Sequence, residues 1–485
     1  MNIPKEALNV AEKLQNAGFK AYFVGGCVRD LLIKRKPKDW DIATDANPEE
    51  IQAVFPDSFY ENTFGTVGVK VEGEVDETLK VIEVTPFRLE SEYSDFRRPD
   101  KVVFSKNLED DLKRRDFTIN ALVLDPRTGD IIDLYKGQED LKDKVLRTVG
   151  DATERFSEDA LRMLRAVRIA TELGFSISHE TLEAIMLHVK HLDKISKERI
   201  RDEFTRIIMS DEPMLGMAMV EKLGMLPYIA PELAKAVGVE QNKEAHKYTV
   251  FEHLLRSLQH ASDKGWGLDI RLASLFHDIS KPYTKREQGG KTTFYGHDVV
   301  GARVTHETLT NLRFPVKLVE KVSKLVRWHM FFSDTEQITL SAVRRLIVNV
   351  GKENIWDLMN LRICDRIGTG RPKESPYRLR KFHAMLEEAM HDPVSVGMLK
   401  IDGKRVMEVT HETPGPKIGY TLHALLEEVI EDPAKNTPEY LENRANELMK
   451  LNLNELKKLG EAGKDTKERE EQKILEEIKG KHGVK

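Results

Sequence analysis

The sequence predicts an α+β protein: a mixed sheet with helices in the N-terminal part, then helix alone to the C-terminus. Two patterns carry that expectation. Up to about residue 150, short β-branched or aromatic runs stand between turn residues and read as strands: AYFVGG, WDIAT, GTVGVKV, LKVIEVTPF, KVVF and TINALVLD. From TERFSEDALRMLRAVRIATELGF onward, apolar residues recur at three and four spacing, the period of helices buried on one face. A chain of 485 residues exceeds what one ordinary core serves, so about three domains are expected. No Gly/Ser-rich or Pro-rich linker and no fixed repeat marks the joins. The changes of pattern place them at 1–150 for the sheet-bearing head, 151–238 for a helical neck and body, 239–392 for a second helical domain, and 393–485 for a helical tail. From about residue 452 the tail is highly charged and poor in aromatics, which predicts a solvated helix prone to fray.

Composition narrows the class. With 40% hydrophobic and 32% charged residues the chain reads as soluble and globular. A formal net charge of −5 does not advertise a nucleic-acid binder, although a local basic groove is compatible with it. The two cysteines, Cys27 and Cys364, have neither metal-ligand spacing nor a disulfide framework, which fits a reducing cytoplasm. The opening MNIPKEALNV reads as an amphipathic helix rather than a signal peptide, and no apolar run approaches the ~20 residues of a membrane span.

The stretch VGGCVRDLLIKRKPKDWDIAT, residues 24–44, carries the first chemistry. Gly25 and Gly26 permit a turn that other residues resist, and CVRDLL then opens a helix whose free N–H groups would face phosphates. Arg29 in its first turn can add a bidentate contact, while Asp30 is placed to cap or orient. Asp39 and Asp41 stand at i and i+2, so on a strand both side chains leave one face. Carboxylates that close repel unless cations lie between them, which is how a pair of Mg²⁺ ions is held to activate a hydroxyl and stabilise leaving pyrophosphate. A lone D-x-D is more often a strand flank; the glycine turn about ten residues upstream shifts the balance to chemistry.

GGCVRDLL…DWDIAT, RRDFTINAL (114–122) and EDALRMLRAVRIA (158–170), in that order over roughly residues 4–235, resemble the motifs of class II tRNA nucleotidyltransferases, the CCA-adding enzymes and bacterial poly(A) polymerases. The resemblance implies a polymerase-beta-like head and makes Asp39 and Asp41 catalytic metal ligands. Glu83, a charge in an otherwise apolar strand, is a candidate third carboxylate, with a simple strand salt bridge as the alternative. The resemblance further implies sugar and phosphate recognition by Arg115, Asp116 and Asn120. It also implies a flexible loop in which Arg88, Tyr93, Asp95 and Arg97 fit the family spacing, with Glu90 where many relatives have Asp. Enzymes that add only the two cytidines tend to lack this loop, so it implies a final adenosine step.

In SEDALRMLRAVRIA, Asp159 and Arg162 would share a helix face, Glu158 and Arg162 are spaced to pair, and Arg165 continues the stripe. Cytosine and adenine both show an amino donor beside a ring-nitrogen acceptor, whereas uracil and guanine reverse the order. An Asp–Arg pair would thus accept CTP and ATP and refuse UTP and GTP without a template. Salt bridges on a solvated face are the bland alternative.

Beyond residue 240 comes a second set: His253, His277-Asp278, His297, His329 and Asp365. Adjacent His-Asp on a buried helix is unusual without a metal. The order H…HD…H…H…D over about 245–370 resembles the HD phosphohydrolase superfamily. That implies a divalent metal, Mg²⁺ or a transition ion, on His253, His277, Asp278 and Asp365, with His297 and His329 binding phosphate or a second ion, and phosphatase or 2′,3′-cyclic phosphodiesterase chemistry. The chain as a whole then reads as a cytoplasmic CCA-adding enzyme acting on the acceptor and TΨC arms of tRNA with CTP and ATP. An A-adding enzyme or a poly(A) polymerase would share every motif. A reading of another class is an HD phosphohydrolase whose N-terminal region binds RNA.

Overall fold

The computed structural model describes residues 2–60, 65–71, 76–91, 101–241, 247–288, 291–331 and 338–460. The chain divides into two compact units, Met1–Ile229 and Ala230–Lys485.

In the first unit the sheet contains β1 (Ala21–Val24), β2 (Asp41–Thr44), β3 (Ser58–Tyr60), β4 (Val67–Lys70) and β5 (Val81–Pro86). Strands β6 (Arg88–Ser91) and β7 (Lys101–Phe104) pair only with each other, and β8 (Val123–Leu124) and β9 (Ile131–Ile132) complete the sheet. Its order is β3-β4-β5-β2-β1-β8-β9, with β2 and β5 parallel and the other pairs antiparallel, so the predicted mixed sheet is present. Phe23, Ile42, Ile82 and Val84 are fully buried. Against the sheet side of the unit, helix Lys5–Asn16 buries Ala7, Val10, Ala11 and Leu14, one stripe at three and four spacing. Helix Pro48–Val54 starts where Asn47 and Glu50 cap each other's backbone N–H groups.

Three expectations of the sequence are corrected here. Strand β2 begins at Asp41, so Asp39 lies in the turn before it rather than two residues along the strand. The segment from 152 is not one helix but two, Ala152–Glu158 and Leu161–Leu173. Asp159 leaves the helix at φ −140° because its carboxylate accepts the Leu161 N–H at 3.0 Å, restarting the helix as a cap would. Nor is the chain past 150 helix alone: β10 (Val145–Leu146) takes β11 (Ser176–Ile177) as a parallel partner, and β12 (Arg286–Gln288) and β13 (Lys291–Thr293) form a hairpin.

The second unit contains helices Val250–Asp263, His297–Asn311 and Ile355–Gly368, which carry His253, His297 and Asp365, and helices Leu268–Phe276 and Val316–Trp328, whose C-terminal ends are followed directly by His277-Asp278 and by His329, so the His-Asp pair expected on a helix stands in the turn just past one. Its C-terminal helices, Gly403–Thr410, Pro416–Glu431, Pro438–Leu448 and Leu453–Gly460, surround a core of their own containing fully buried Val406, Leu425, Val429, Ile430, Leu441, Ala445 and Leu456. Arg344 joins the two halves of this unit: buried in helix Leu340–Val350, it donates to Asp392 Oδ2 at 2.8 Å and to the carbonyl of Ile430. The expected solvated helix from 452 is present as Leu453–Gly460, exposed along most of its length but anchored by the fully buried Leu456; 461–485 lie outside the described residues. No helix among the described residues is long and apolar enough to cross a membrane.

Leu456 gives a direct check. Leu456→Ala should destabilise the second unit by about 2–4 kcal/mol in urea denaturation, the cost of a core leucine, whereas a solvated helix predicts almost no change.

Candidate active sites

At the first site the backbone of Gly25 has φ +77° and ψ −134°, a conformation that strains any side chain. Its N–H is fixed to the carbonyl of Leu122 at 3.3 Å. A Cβ on Gly25 would lie 3.0 Å from Arg115 Nη1 and 3.7 Å from Asp41 Oδ2. On Gly26 it would lie 3.7 Å from both Asp39 Oδ1 and Arg29 Nη2. The bare turn is thus ringed by two carboxylates and two guanidiniums. Glu83 enters through the sheet, because the parallel register of β2 and β5 sets it directly opposite Asp41 and so on the same face.

The cations around the turn are held by a relay. Arg29 pairs with Asp30 at 2.7 Å and donates to Asn120 Oδ1 at 2.8 Å. Asn120 donates to Asp116 Oδ1 at 3.1 Å, and Asp116 Oδ2 accepts from Arg165 Nη2 at 2.6 Å and Nε at 2.9 Å. Burial would raise the Asp116 carboxyl, but the Arg165 charge outweighs it and holds Asp116 well below the usual carboxylate range. Asp116 and Asn120 meet although the segment holds only a short 3₁₀ turn, Thr118–Asn120. Arg115 is anchored by the fully buried Asp111 at 3.0 Å.

In the helical part, Arg162 pairs with Glu158 at 2.6 Å and donates to the carbonyl of Arg114 at 2.9 Å. Asp159 does not pair with Arg162; it takes both Arg199 donors, at 2.6 and 3.3 Å. Arg88 lies in β6, while Tyr93, Asp95 and Arg97 fall outside the described residues.

The second site is buried. His253 Nε2 and His277 Nε2 face each other at 2.9 Å, and Asp365 Oδ1 lies 3.4 and 3.7 Å from them. Asp278 spans the centre, with Oδ2 3.3 Å from His253 and 3.4 Å from His277, and Oδ1 3.2 Å from His297 and 3.6 Å from His329. The ligand atoms fall into two sets, His253, His277 and Asp365, and Asp278, His297 and His329, each compact enough for one ion.

The donor chemistry fits divalent metal. The Nδ1 atoms of His277, His297 and His329 face the carbonyls of Ser274, Phe294 and Val326 at 2.9, 2.6 and 2.6 Å. A carbonyl only accepts, so in the neutral ring the hydrogen is on Nδ1 and Nε2 offers its lone pair to the centre. Nε2 of His297 and of His329 is buried without a hydrogen-bond partner among the described residues. Burial would push His277 down, yet the Asp278 and Asp365 carboxylates outweigh it and hold the ring up at about 9. A proton there does the work of a cation, and a metal must displace it, so uptake is favoured as pH rises.

Sequence reasoning missed the residues that hold others in place: Asp111, Arg199, and in the second site Lys281 and Arg362. Lys281 lies 2.6 Å from Asp278, and Arg362 lies 2.7 Å from Asp365. Their i,i+3 spacing was the available signal, as was the i,i+4 spacing of Asp111 and Arg115. Arg199, forty positions from Asp159, left none.

The sheet and its carboxylates define a nucleotidyltransferase head, and the buried histidine–aspartate centre an HD-type helical domain; both imply dependence on divalent metal. Family models agree: "Poly A polymerase head domain" matches residues 21–147, "Probable RNA and SrmB- binding site of polymerase A" matches 174–237, and "HD domain" matches 250–364. A CCA-adding enzyme of Enterococcus faecalis is 34% identical over 442 residues, 90% of this chain and 94% of that relative. One from Lactobacillus delbrueckii subsp. bulgaricus is 52% identical over 208 residues, 43% of this chain, and that match spans only 51% of the relative. The crystal structure of the Bacillus stearothermophilus CCA-adding enzyme in complex with CTP superposes with a TM-score of 0.70 at 29% identity, over 92% of this chain and 98% of that one. The chain belongs to the family of CCA-adding enzymes.

Gly368 tests the buried centre. A Cβ there would lie 2.8 Å from the His253 carbonyl and 2.9 Å from its Nδ1. Gly368→Ala should therefore weaken Mn²⁺ binding to the second site by about tenfold or more in calorimetry and leave nucleotide incorporation intact.

Proposed function

We propose that the chain adds C, C and A to the 3′ end of tRNA from CTP and ATP. The observation that carries this reading is the gathering of Asp39, Asp41 and Glu83 against a glycine turn lined by Arg29 and Arg115. Mg²⁺ held by Asp39 and Asp41, with Glu83 beside them, would supply the positive charge that acidifies the attacking hydroxyl and steadies the departing pyrophosphate. The 3′-oxygen of the tRNA forms a bond to the α-phosphorus, the α–β bridge breaks, and the hydroxyl proton passes to solvent. Arg29 and Arg115, braced by Asp30 and Asp111, are placed to receive the triphosphate, and the Asp116–Asn120 pair the ribose hydroxyls. Base choice rests on Asp159 as acceptor and Arg162 as donor, each braced by its own partner, Arg199 and Glu158, rather than by the other. Tyr93, Asp95 and Arg97, with Arg88, belong to the loop that supports the adenosine step. The helical region 151–238 then follows the acceptor and TΨC arms through backbone contacts. The buried cysteines, whose thiols burial pushes up to about 12, suit a protein of the reducing cytoplasm.

The HD domain, 239–392, supplies a second activity in this reading, metal-dependent phosphoester hydrolysis. What supports it is Asp278, which presents one carboxylate oxygen to each of two ligand sets.

A single assay separates the alternatives. Transcripts ending before CCA should gain C-C-A with CTP and ATP and then stop; an inert cytidine step would indicate an A-adding enzyme, and a long adenosine ladder a poly(A) polymerase. Asp39→Ala and Asp41→Ala should each lower incorporation by at least about a thousandfold while HD-dependent phosphate release persists. Asp278→Ala should do the reverse, abolishing hydrolysis of a 2′,3′-cyclic nucleotide and sparing incorporation.

A further inference from the structure

Around the buried histidine–aspartate centre opens a cavity of about 1020 Å³, at the upper end of the ~300–1,000 Å³ that pockets for single small molecules occupy. Its depth is electrically balanced. Lys281 pairs with Asp278, Arg362 with Asp365, and Asp298 with Arg327. Farther out the lining changes. Arg366 and Arg371 both face the cavity. Arg366 spends a donor on a neutral partner, the carbonyl of Lys373 at 2.6 Å, which orients the guanidinium without cancelling its charge. Two tyrosines complete the mouth from different elements: Tyr295, just before helix His297–Asn311, and Tyr377, at the start of helix Tyr377–Ala389. The two residues are 67% and 69% exposed, so neither ring is committed to the core.

Deep charge paired off, outer charge in excess, and two open aromatic faces describe a strand rather than a single phosphate ester. Exposed aromatic rings beside cations hold successive bases and the phosphate between them. We propose that the HD cavity takes the 3′ end of an RNA strand: the terminal phosphoester lies at the buried centre, the preceding internucleotide phosphate lies against Arg366 and Arg371, and the last two bases lie on Tyr295 and Tyr377. This rests on the reading of that centre as a phosphohydrolase. For a terminal 2′,3′-cyclic phosphate, the oxygen of water bonds to phosphorus, one ribose oxygen–phosphorus bond breaks and that oxygen takes up a proton, leaving a phosphomonoester beside a free hydroxyl.

The test compares uridine 2′,3′-cyclic phosphate with the dinucleotide ApU ending in the same cyclic group, using the full chain supplied with Mn²⁺ or Ni²⁺. The dinucleotide should show a kcat/KM at least about tenfold higher, the scale of one stacked base and one phosphate contact. Arg371→Ala and Tyr377→Ala should each pull the dinucleotide-to-mononucleotide ratio towards one. Because the ratio is internal to each variant, partial misfolding does not mimic the effect. Equal kcat/KM for the two substrates in the wild type, or a ratio unmoved in both variants, overturns the strand subsite while the phosphohydrolase reading stands. No hydrolysis of either substrate with either metal overturns that reading and the inference with it. An adenosine 3′,5′-bisphosphate arm separates the sources of a second phosphate: cleavage as fast as that of the dinucleotide would assign the site to small nucleotides, against the proposal.

Discussion

The constraint on which the first unit depends is electrostatic. Parallel pairing of β2 with β5 sets Glu83 beside Asp41, and the turn before β2 adds Asp39 facing the same glycines. Three carboxylates so close destabilise the fold unless positive charge stands among them. The chain supplies part of that charge as Arg29 and Arg115, each held at the turn by its own acid, Asp30 and Asp111. On the proposed reading this leaves a place for mobile cations and an anionic ligand. Gly25 and Gly26 keep it open, since a side chain at either would occupy the space between the two charge layers.

The second unit meets the same constraint in the opposite environment. Its carboxylates are buried, where an unpaired charge costs far more than at a surface, and each is covered: Asp278 by Lys281 and four histidines, Asp365 by Arg362 and two. Three of the histidines are aimed by backbone carbonyls three residues upstream, His277 and His329 by the last turn of the helix each follows and His297 by the turn before its own helix, so side-chain direction follows from where each stands relative to its element. Secondary structure thereby brings atoms that could hold an ion together.

How much of this could be read in the sequence follows from how local each interaction is. Asp39-x-Asp41 behind a glycine pair is visible because residue type and short spacing decide it, and the histidines and aspartates of the second unit because their residue types recur in one order along the chain. Glu83 was visible only as a charge out of place; its register with Asp41 belongs to strand pairing across the sheet, which spacing does not encode. Asp159 was read on a continuous helix because Glu158-Asp159-Ala160 contains no breaker. The break arises when its carboxylate caps the next helix and meets Arg199 from a distant one. The charged tail misled in the same way: Leu456 alone, in a polar stretch, reaches a core made by helices far upstream.

The account is tested most directly by a crystal grown with CTP and Mn²⁺ and measured at the manganese absorption edge. Anomalous peaks bounded by Asp39 and Asp41, with the triphosphate running from them to Arg29 and Arg115, are the predicted result. Carboxylates turned into solvent, with nucleotide bound elsewhere and no manganese beside β2, would contradict it.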